Sequence, residues 1–384
     1  MVLGTKMIEM KTPNNFNPVA SIIIPTHERY ELLINLLESL QTASDKFQKP
    51  IETIIVDSSS LETSERIQCA CNIYNVQYIK NRNNVREKRN IGVKIAKAPI
   101  LIFVDSDCQV TPEFISEHFN EYSANDEIGG VLGLTKFVGR DSWLWSIILH
   151  SSITSPFTMA ERSTYANWGP TCNISYRKKM FEELGIFDTS FPFPLGGDDT
   201  DFGLRVTDAG YKIKCNPRAI IEHTRETWLG IRLIGRRIFR WGRMHFYIIK
   251  KHPNCVALDF PKVPGIFFLM LSFALVVAIV KQNITLVLLP FIWMFSELLF
   301  EILFLCSLRQ HRFRNWWVEL GARLFNLLFE FGTHLEGLRN GSFAPFYLSA
   351  TYSPKSQEKD NRRIVQIWAS ILILIVMILG IKFQ

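Results

Sequence analysis

The sequence predicts an α/β domain on a mostly parallel sheet, followed by a C-terminal helical membrane region. Three observations predict it. Short, continuous apolar runs alternate with amphipathic stretches through the first part of the chain, the pattern of parallel strands buried on both faces. One such run, Ile100–Val104 (ILIFV), delivers Asp105 and Asp107 at its end, where open α/β sheets bind ligands. Beyond Pro261 the character changes: Val263–Val280 carries no charged residue over a length able to span a bilayer.

The elements follow in order. Ala20–Pro25 (ASIIIP) is a short strand stopped by Pro25. Tyr30–Thr42 has helical spacing at Leu33, Leu36, Leu37 and Leu40. Ile51–Asp57 is a second strand, Val76–Ile79 a third, Glu87–Lys97 a helix and Ile100–Asp105 the fourth strand. The strand ends present Pro25-Thr26, Asp57-Ser58-Ser59 and Asp105-Ser106-Asp107. Two carboxylates one residue apart repel unless something positive sits there or both are well solvated, and a hard divalent cation takes carboxylate oxygens while leaving places for phosphate oxygens. Later, Asp141–Phe157 is apolar and helix-like with Trp143 and Trp145, suited to dip into a membrane interface or to line an acceptor groove. A helix over Asp199–Ala209 follows a Gly-Gly turn.

In the membrane half, Ile284–Leu308 is a second span, with Glu297 and Glu301 one turn apart on one face, and Ile364–Ile381 a third. Intramembrane carboxylates face protein or water rather than lipid. From Trp317 to Leu338 the apolar residues keep helical spacing, and Glu319, Arg323, Glu330 and His334 form a wet face, the pattern of an interfacial helix lying on the membrane. This segment could instead be a fourth span; with three spans the flanking basic residues (Lys250, Lys251, Lys262; Arg309, Arg312, Arg314; Arg362, Arg363) all fall on one side, which puts the large soluble half in the cytosol.

The 384 residues hold 47% apolar and 21% charged side chains, with a formal net charge of +7. Much of the basic excess lies in Arg225–Lys251, which has eight Lys or Arg against Glu226 alone. Such a cluster suits anionic lipid or a phosphorylated substrate; nucleic acid is not an expected partner. The seven cysteines form no paired framework, which fits reduced thiols. The stretch Met1–Asn17 is polar and lacks the apolar core of a signal peptide.

Four segments occur in a telling order: SIIIPTHER, IIVDSSS, REKRNIGVKIAKAPILIFVDSDCQVTPEFI and GGDDTDFGLRVTDAGYKI. Together they resemble the nucleotide-sugar glycosyltransferases of family 2, with the GT-A fold, over about Val19 to Pro253. The resemblance implies a GT-A domain at 19–254 between an N-terminal extension (1–18) and the membrane region (255–384). It assigns Pro25 and Thr26 to the first nucleotide-binding turn and Asp57 to the base, typically uracil. Arg89 and Asn90 match the pair before the fourth strand, with Arg89 near the diphosphate. Asp105 and Asp107 match the metal motif for Mg²⁺ or Mn²⁺, with Asp107 the direct ligand, and His223 resembles the histidine that completes the site. Asp199 resembles the catalytic base, in a pair with Asp198 where the family usually has Glu-Asp, so the register of the base stays open by one residue. Arg237, Arg240 and Trp241, in RIFRW, resemble the QxxRW motif of processive members, with Arg237 in place of Gln. The turn VDSSS also lacks the Asp-Gly of the commoner DDGS.

The function implied by the resemblance is inverting transfer of a sugar from a UDP-linked donor to a lipid-linked or polysaccharide acceptor at the cytosolic face of the cell membrane. Single displacement needs one positioned base and no enzyme nucleophile. Two other readings stand beside it. A metal-dependent nucleotidyltransferase would carry a Gly-rich phosphate loop, which IPTHERYE is not. A membrane scaffold or translocation subunit would not need Asp105, Asp107 and Asp199. Acceptor identity, processivity and oligomeric state have no signature in the sequence.

Overall fold

The structure, a computed structural model, describes residues 17–82, 84–123, 125–193, 196–258, 262–308 and 316–350. The expected third span at Ile364–Ile381 and nearly all of the N-terminal extension lie outside the described residues.

The strands are β1 (Ala20–Thr26), β2 (Ile51–Asp57), β3 (Gln77–Lys80), β4 (Ile100–Val104), β5 (Cys108–Val110), β6 (Ile128–Val138), β7 (Tyr165–Ala166), β8 (Asn173–Arg177) and β9 (Lys212–Thr224). They form one sheet in the order β3-β2-β1-β4-β8-β6-β9-β5, with β7 paired to β9. The first four strands are parallel. The sheet then becomes mixed: β8 runs antiparallel to β4 and β6, while β9 runs parallel to β6 and antiparallel to β5. The expected α/β fold is present, and β1 and β4 are buried along their whole length, as continuous apolar strands require.

Helices cover both faces: α1 (Tyr30–Phe47), α2 (Leu61–Ile73), α3 (Val85–Ile95), α4 (Phe114–Asn120), α5 (Trp143–His150), α6 (Lys178–Leu184) and α7 (Asp198–Asp208). Because side chains alternate along a strand, Ile22 and Ile24 of β1 meet Leu33, Leu36 and Leu40 on one face. Ile23 packs on the other with Val93, Phe103 and the aromatic group Phe181, Phe187 and Phe202. The helix expected from Glu87 starts two residues earlier, because the Asn84 side chain accepts from the Arg86 and Glu87 N–H groups and caps it.

The long helix α8 (Ile231–Lys251) leads through β10 (Val256–Leu258) to α9 (Val263–Val280), α10 (Leu289–Leu308) and α11 (Trp316–Arg339), and β11 (Leu348–Ala350) returns to pair with β10. Among the described helices, two segments are long and apolar enough to cross a membrane, Val263–Val280 and Ile284–Glu301. Helix α11 differs from the expectation of one wet face. It is wedged between α5 and α8 on one side and α9 and α10 on the other. Val318 and Phe325 join Trp145, Trp228 and Ile238 in one apolar cluster, and Leu327 joins Val263, Phe267 and Trp293 in another. Its charged residues are therefore packed: Arg323 pairs with Glu301 of α10 and lies 3.6 Å from Glu330, and His334 is buried. Glu297 is 1% exposed, turned to protein.

The α8–α11 crossing is close because glycines line it. A Cβ on Gly242 would run into the Phe329 carbonyl, and one on Gly332 into the Phe239 carbonyl. Gly242→Ala should therefore lower stability by about 1–3 kcal/mol, the usual cost of overpacking. Gly235→Ala, whose Cβ would meet Leu328 at an ordinary 3.6 Å, should be neutral or slightly stabilising through helix propensity. Thermal unfolding of the detergent-solubilised full chain compares the two, and equal midpoints would refute the tight crossing.

Candidate active site

The C-terminal ends of β1, β2 and β4 converge, as the strand order requires. At the end of β2, Asp57 is fully buried. It accepts from the Ser59 N–H (2.9 Å), Ser59 Oγ (2.5 Å), Ser64 Oγ (2.6 Å) and Tyr78 Oη (3.0 Å), with Lys80 Nζ at 3.4 Å. Burial alone would raise its pKa, but these hydrogen bonds and Lys80 outweigh it and hold the carboxyl below its ordinary value. Lys88 ties the two strand ends together, donating to the Thr26 carbonyl (2.7 Å) and Ser58 Oγ (2.9 Å). Burial pushes this ammonium down to about 8. Pro25 and Thr26 end β1, and the Thr26 hydroxyl is buried with no hydrogen-bond partner.

Helix α3 aims two arginines at the acids. Arg89 bridges Asp105 (3.1 Å) and Asp198 (3.0 Å). Arg86 lies 3.4 Å from the other Asp198 oxygen and donates to the Gly196 carbonyl at 2.7 Å. Asn90 points elsewhere: its amide donates to and accepts from the Phe187 backbone, at 2.8 and 2.9 Å. It lines a depression of about 660 Å³ between α3 and Leu184–Thr189 that contains none of the strand-end acids.

Asp107 is 5% exposed and has two different sides. Oδ2 forms an ion pair with Arg29 Nη1 at 2.9 Å. Oδ1 is buried with no hydrogen-bond partner, and His223 Nε2 lies 3.6 Å from it. Strand pairing makes this meeting, since Cys108 of β5 is opposite His223 of β9 and the Thr224 N–H donates to the Asp107 carbonyl. His223 Nδ1 lies 2.9 Å from the Thr224 carbonyl. A carbonyl only accepts, so Nδ1 donates to it, which leaves Nε2 as the nitrogen turned toward Asp107. An imidazole nitrogen and an unpartnered carboxylate oxygen facing each other at this distance are donor atoms that suit a cation. Asp107, Cys108 and His223 together offer ligand atoms within 4.8 Å of one another. Burial, then Cys172 and Asp107, push the Cys108 thiol well above its ordinary pKa, so the carboxylate and imidazole are the better donors.

Asp198 and Asp199 begin α7 after Gly196 and Gly197, both at positive φ (+90° and +84°). A Cβ on Gly196 would also lie 2.8 Å from Trp241. Packing separates the two acids. Asp198 is buried against Arg86 and Arg89, while Asp199 lines a cavity of about 410 Å³. Burial, then the neighbouring Asp198 carboxylate, push Asp199 up to about 7. The cavity wall includes Trp168, Trp241, Phe157 and Thr200 beside Asp199, and Lys262, Asn326, Phe329 and Glu330 from the C-terminal part of the chain. Arg237 stacks on Trp228 (4.8 Å to the ring) and donates to the Thr227 carbonyl. Burial lowers its pKa, opposed mainly by Asp107, which places the guanidinium within electrostatic reach of that carboxylate. Arg240, on the same helix, is half-buried. Asn173-Ile174-Ser175, which fits the Asn-x-Ser pattern of a glycosylation sequon, is buried, and Asn173 is spent on His118, Leu134 and Ala219.

Sequence reasoning missed Arg29, Lys88 and Arg86. The signal for Arg29 lay in THER, a basic residue directly between a strand end and a helix start. For Lys88 and Arg86 only the density of charge in REKRN pointed inward.

Residues 21–185 match the family model Glycosyl transferase family 2, and that segment belongs to the family. It contains Thr26, Asp57, Arg89, Asp105 and Asp107. Among curated relatives, the O-antigen biosynthesis protein RfbC of Myxococcus xanthus is 26% identical over 239 residues, covering 56% of this chain and 18% of that protein. The glycosyltransferase AglE of Haloferax volcanii is 25% identical over 205 residues, covering 51% of this chain and 64% of the relative. The chain thus spans less than two thirds of either relative's length. A solved mannosyltransferase, PcManGT from Pyrobaculum calidifontis in complex with GDP-Man and Mn²⁺, aligns with a TM-score of 0.46 and 16% identity over 62% of this chain and 65% of its own.

Proposed function

We propose that this chain, with a family 2 glycosyltransferase segment at 21–185, is a membrane-anchored, metal-dependent, inverting glycosyltransferase. It moves a sugar from a nucleotide-sugar donor, UDP-linked by the reading of Asp57, to a lipid-linked or glycan acceptor at the cytosolic membrane face. The observation that carries the proposal is the pairing of two half-sites at one end of the sheet: the unpartnered Asp107 oxygen facing His223, and Asp199 on the wall of a cavity shared with the membrane helices.

Asp107 and His223 would hold Mg²⁺ or Mn²⁺, with Asp105 beside them. When bound, the cation acts as a Lewis acid that neutralises charge developing on the leaving diphosphate. The nucleotide lies across the ends of β1 and β2, where Pro25 and Thr26 close the first strand, the buried Asp57 braces the Ser58-Ser59 turn beneath it, and Lys88 keeps the two strand ends in register. Arg89 fixes Asp105 and Asp198 together. Arg237 and Arg240 approach from α8 and favour the diphosphate electrostatically. Asn90 supports the site from behind through Phe187. Asp199 takes the proton from the acceptor hydroxyl, and Trp168 and Trp241 offer faces on which a sugar ring stacks. Asp198 serves as the buried counter-ion of two arginines.

A donor screen tests the proposal: nucleotide release by the full chain in detergent with membrane lipid extract. Release from one nucleotide sugar that rises with added lipid supports it. No release from any donor, with either cation, refutes it.

The base also predicts a pH profile. Asp199 acts only when ionised, and its pKa is raised to about 7. Transfer should therefore be lost as pH falls through about 7, with kcat/KM dropping about tenfold per pH unit on the acid side. A flat profile between pH 5.5 and 8 would exclude a carboxyl of that pKa as the base.

A further inference from the structure

We infer that Arg29 couples cation binding to nucleotide binding, by exchanging Asp107 for the donor's diphosphate. The inference rests on the nucleotide-sugar reading of the site. Arg29 forms an ion pair with Oδ2 of Asp107, on the side away from the oxygen that faces His223. The two partners are held very differently. The Asp107 side chain is 3% exposed, whereas that of Arg29 is 35% exposed, so Arg29 is the partner free to leave.

Its backbone root is anchored. The preceding residue, Glu28, has φ +51°, and its carboxylate accepts from the Ser60 N–H and from Thr63 Oγ1 at the start of α2. The Glu28 N–H donates to Ser59 Oγ at 2.7 Å. A fixed root with a long side chain keeps the guanidinium within the strand-end crevice wherever it turns. Five N–H donors in a planar fork suit a diphosphate, and one carboxylate oxygen satisfies only part of that capacity.

The charges set the direction of the coupling. Arg29, Arg89 and Arg237 all act on the Asp105–Asp107 pair. A divalent cation arriving alone meets a carboxylate already neutralised by Arg29 and a second cationic group nearby. A nucleoside diphosphate brings the negative charge that draws Arg29 off Oδ2, and so restores Asp107 to the cation. By linkage, each ligand then tightens the other by the same factor.

The test is a Mn²⁺ titration of the full chain in detergent, read by the electron paramagnetic resonance of free Mn²⁺. It is run alone, with UDP and with GDP, on wild type, Arg29→Gln and Arg29→Lys. In wild type, one nucleotide should tighten Mn²⁺ at least about fivefold, the lower end of usual couplings. Arg29→Gln should bind Mn²⁺ alone more tightly than wild type, by a similar factor, and the gain from nucleotide, after subtraction of Mn²⁺ held by nucleotide without protein, should shrink by that factor to what the diphosphate's own contact with the cation supplies. Arg29→Lys keeps the charge and should retain most of the coupling. Unchanged or weaker Mn²⁺ affinity in Arg29→Gln, with the nucleotide effect intact, overturns the inference and leaves the transferase reading standing. Wild-type protein that binds no Mn²⁺ with either nucleotide overturns both.

Discussion

Asp107→Ala should abolish both Mn²⁺ binding and sugar transfer while leaving the fold intact. Asp107 presents a buried oxygen with no hydrogen-bond partner, 3.6 Å from the imidazole nitrogen of His223. Removing the carboxylate removes the anionic half of that pair. His223 Nε2 and the Cys108 thiol remain, a poor set for a hard cation that prefers oxygen. The fold should survive because the backbone carries the structural load here: the Asp107 carbonyl accepts from the Thr224 N–H, and β5 pairs with β9 regardless of the side chain. Arg29 loses its partner, but it is partly exposed and is resolvated by water. Two measurements check this: Mn²⁺ affinity in the presence of nucleotide, and transfer rate. Wild-type activity that persists in excess chelator would contradict the metal role, and a variant that unfolds would contradict the structural argument.

Asp199→Asn should bind donor and cation normally and lose transfer by about 10²-fold or more, the usual contribution of a positioned base. Its neighbour should fail for another reason. Asp198 is the shared counter-ion of Arg86 and Arg89, all three buried. Asp198→Asn leaves those arginines short of negative charge, and breaking a buried pair of this kind costs about 3–5 kcal/mol. Asp199 has no such role, since Thr200 supplies its hydrogen bonds. The two variants therefore separate in opposite measurements. Asp199→Asn should keep its melting temperature and lose rate, and Asp198→Asn should lose melting temperature first. Active Asp199→Asn with a stable but inactive Asp198→Asn would move the base by one residue.

The sequence by itself determined the features that depend on local pattern. Alternating apolar runs and helical spacing marked β1, α1, β2 and β4 because the periods of strand and helix differ and both faces of the sheet are buried. The D-x-D at the end of β4 was legible because strand ends are where such folds bind ligands. The charge-free stretch at Val263–Val280 was legible from its length alone. What the tertiary structure decided is everything that needs two distant segments to meet. His223 reaches Asp107 only because β9 folds back to pair with β5. Asp198 and Asp199 are adjacent and alike, and only packing turns one to the arginines of α3 and the other to the cavity. Composition also drew a boundary near residue 254 that the core crosses, since Val318 and Phe325 of α11 pack with Trp145 and Trp228. A one-dimensional pattern records which side of a helix is apolar. It does not record that α11 has neighbours on both sides, and so it read as solvent-facing the charged residues that pair with α10 and line the cavity.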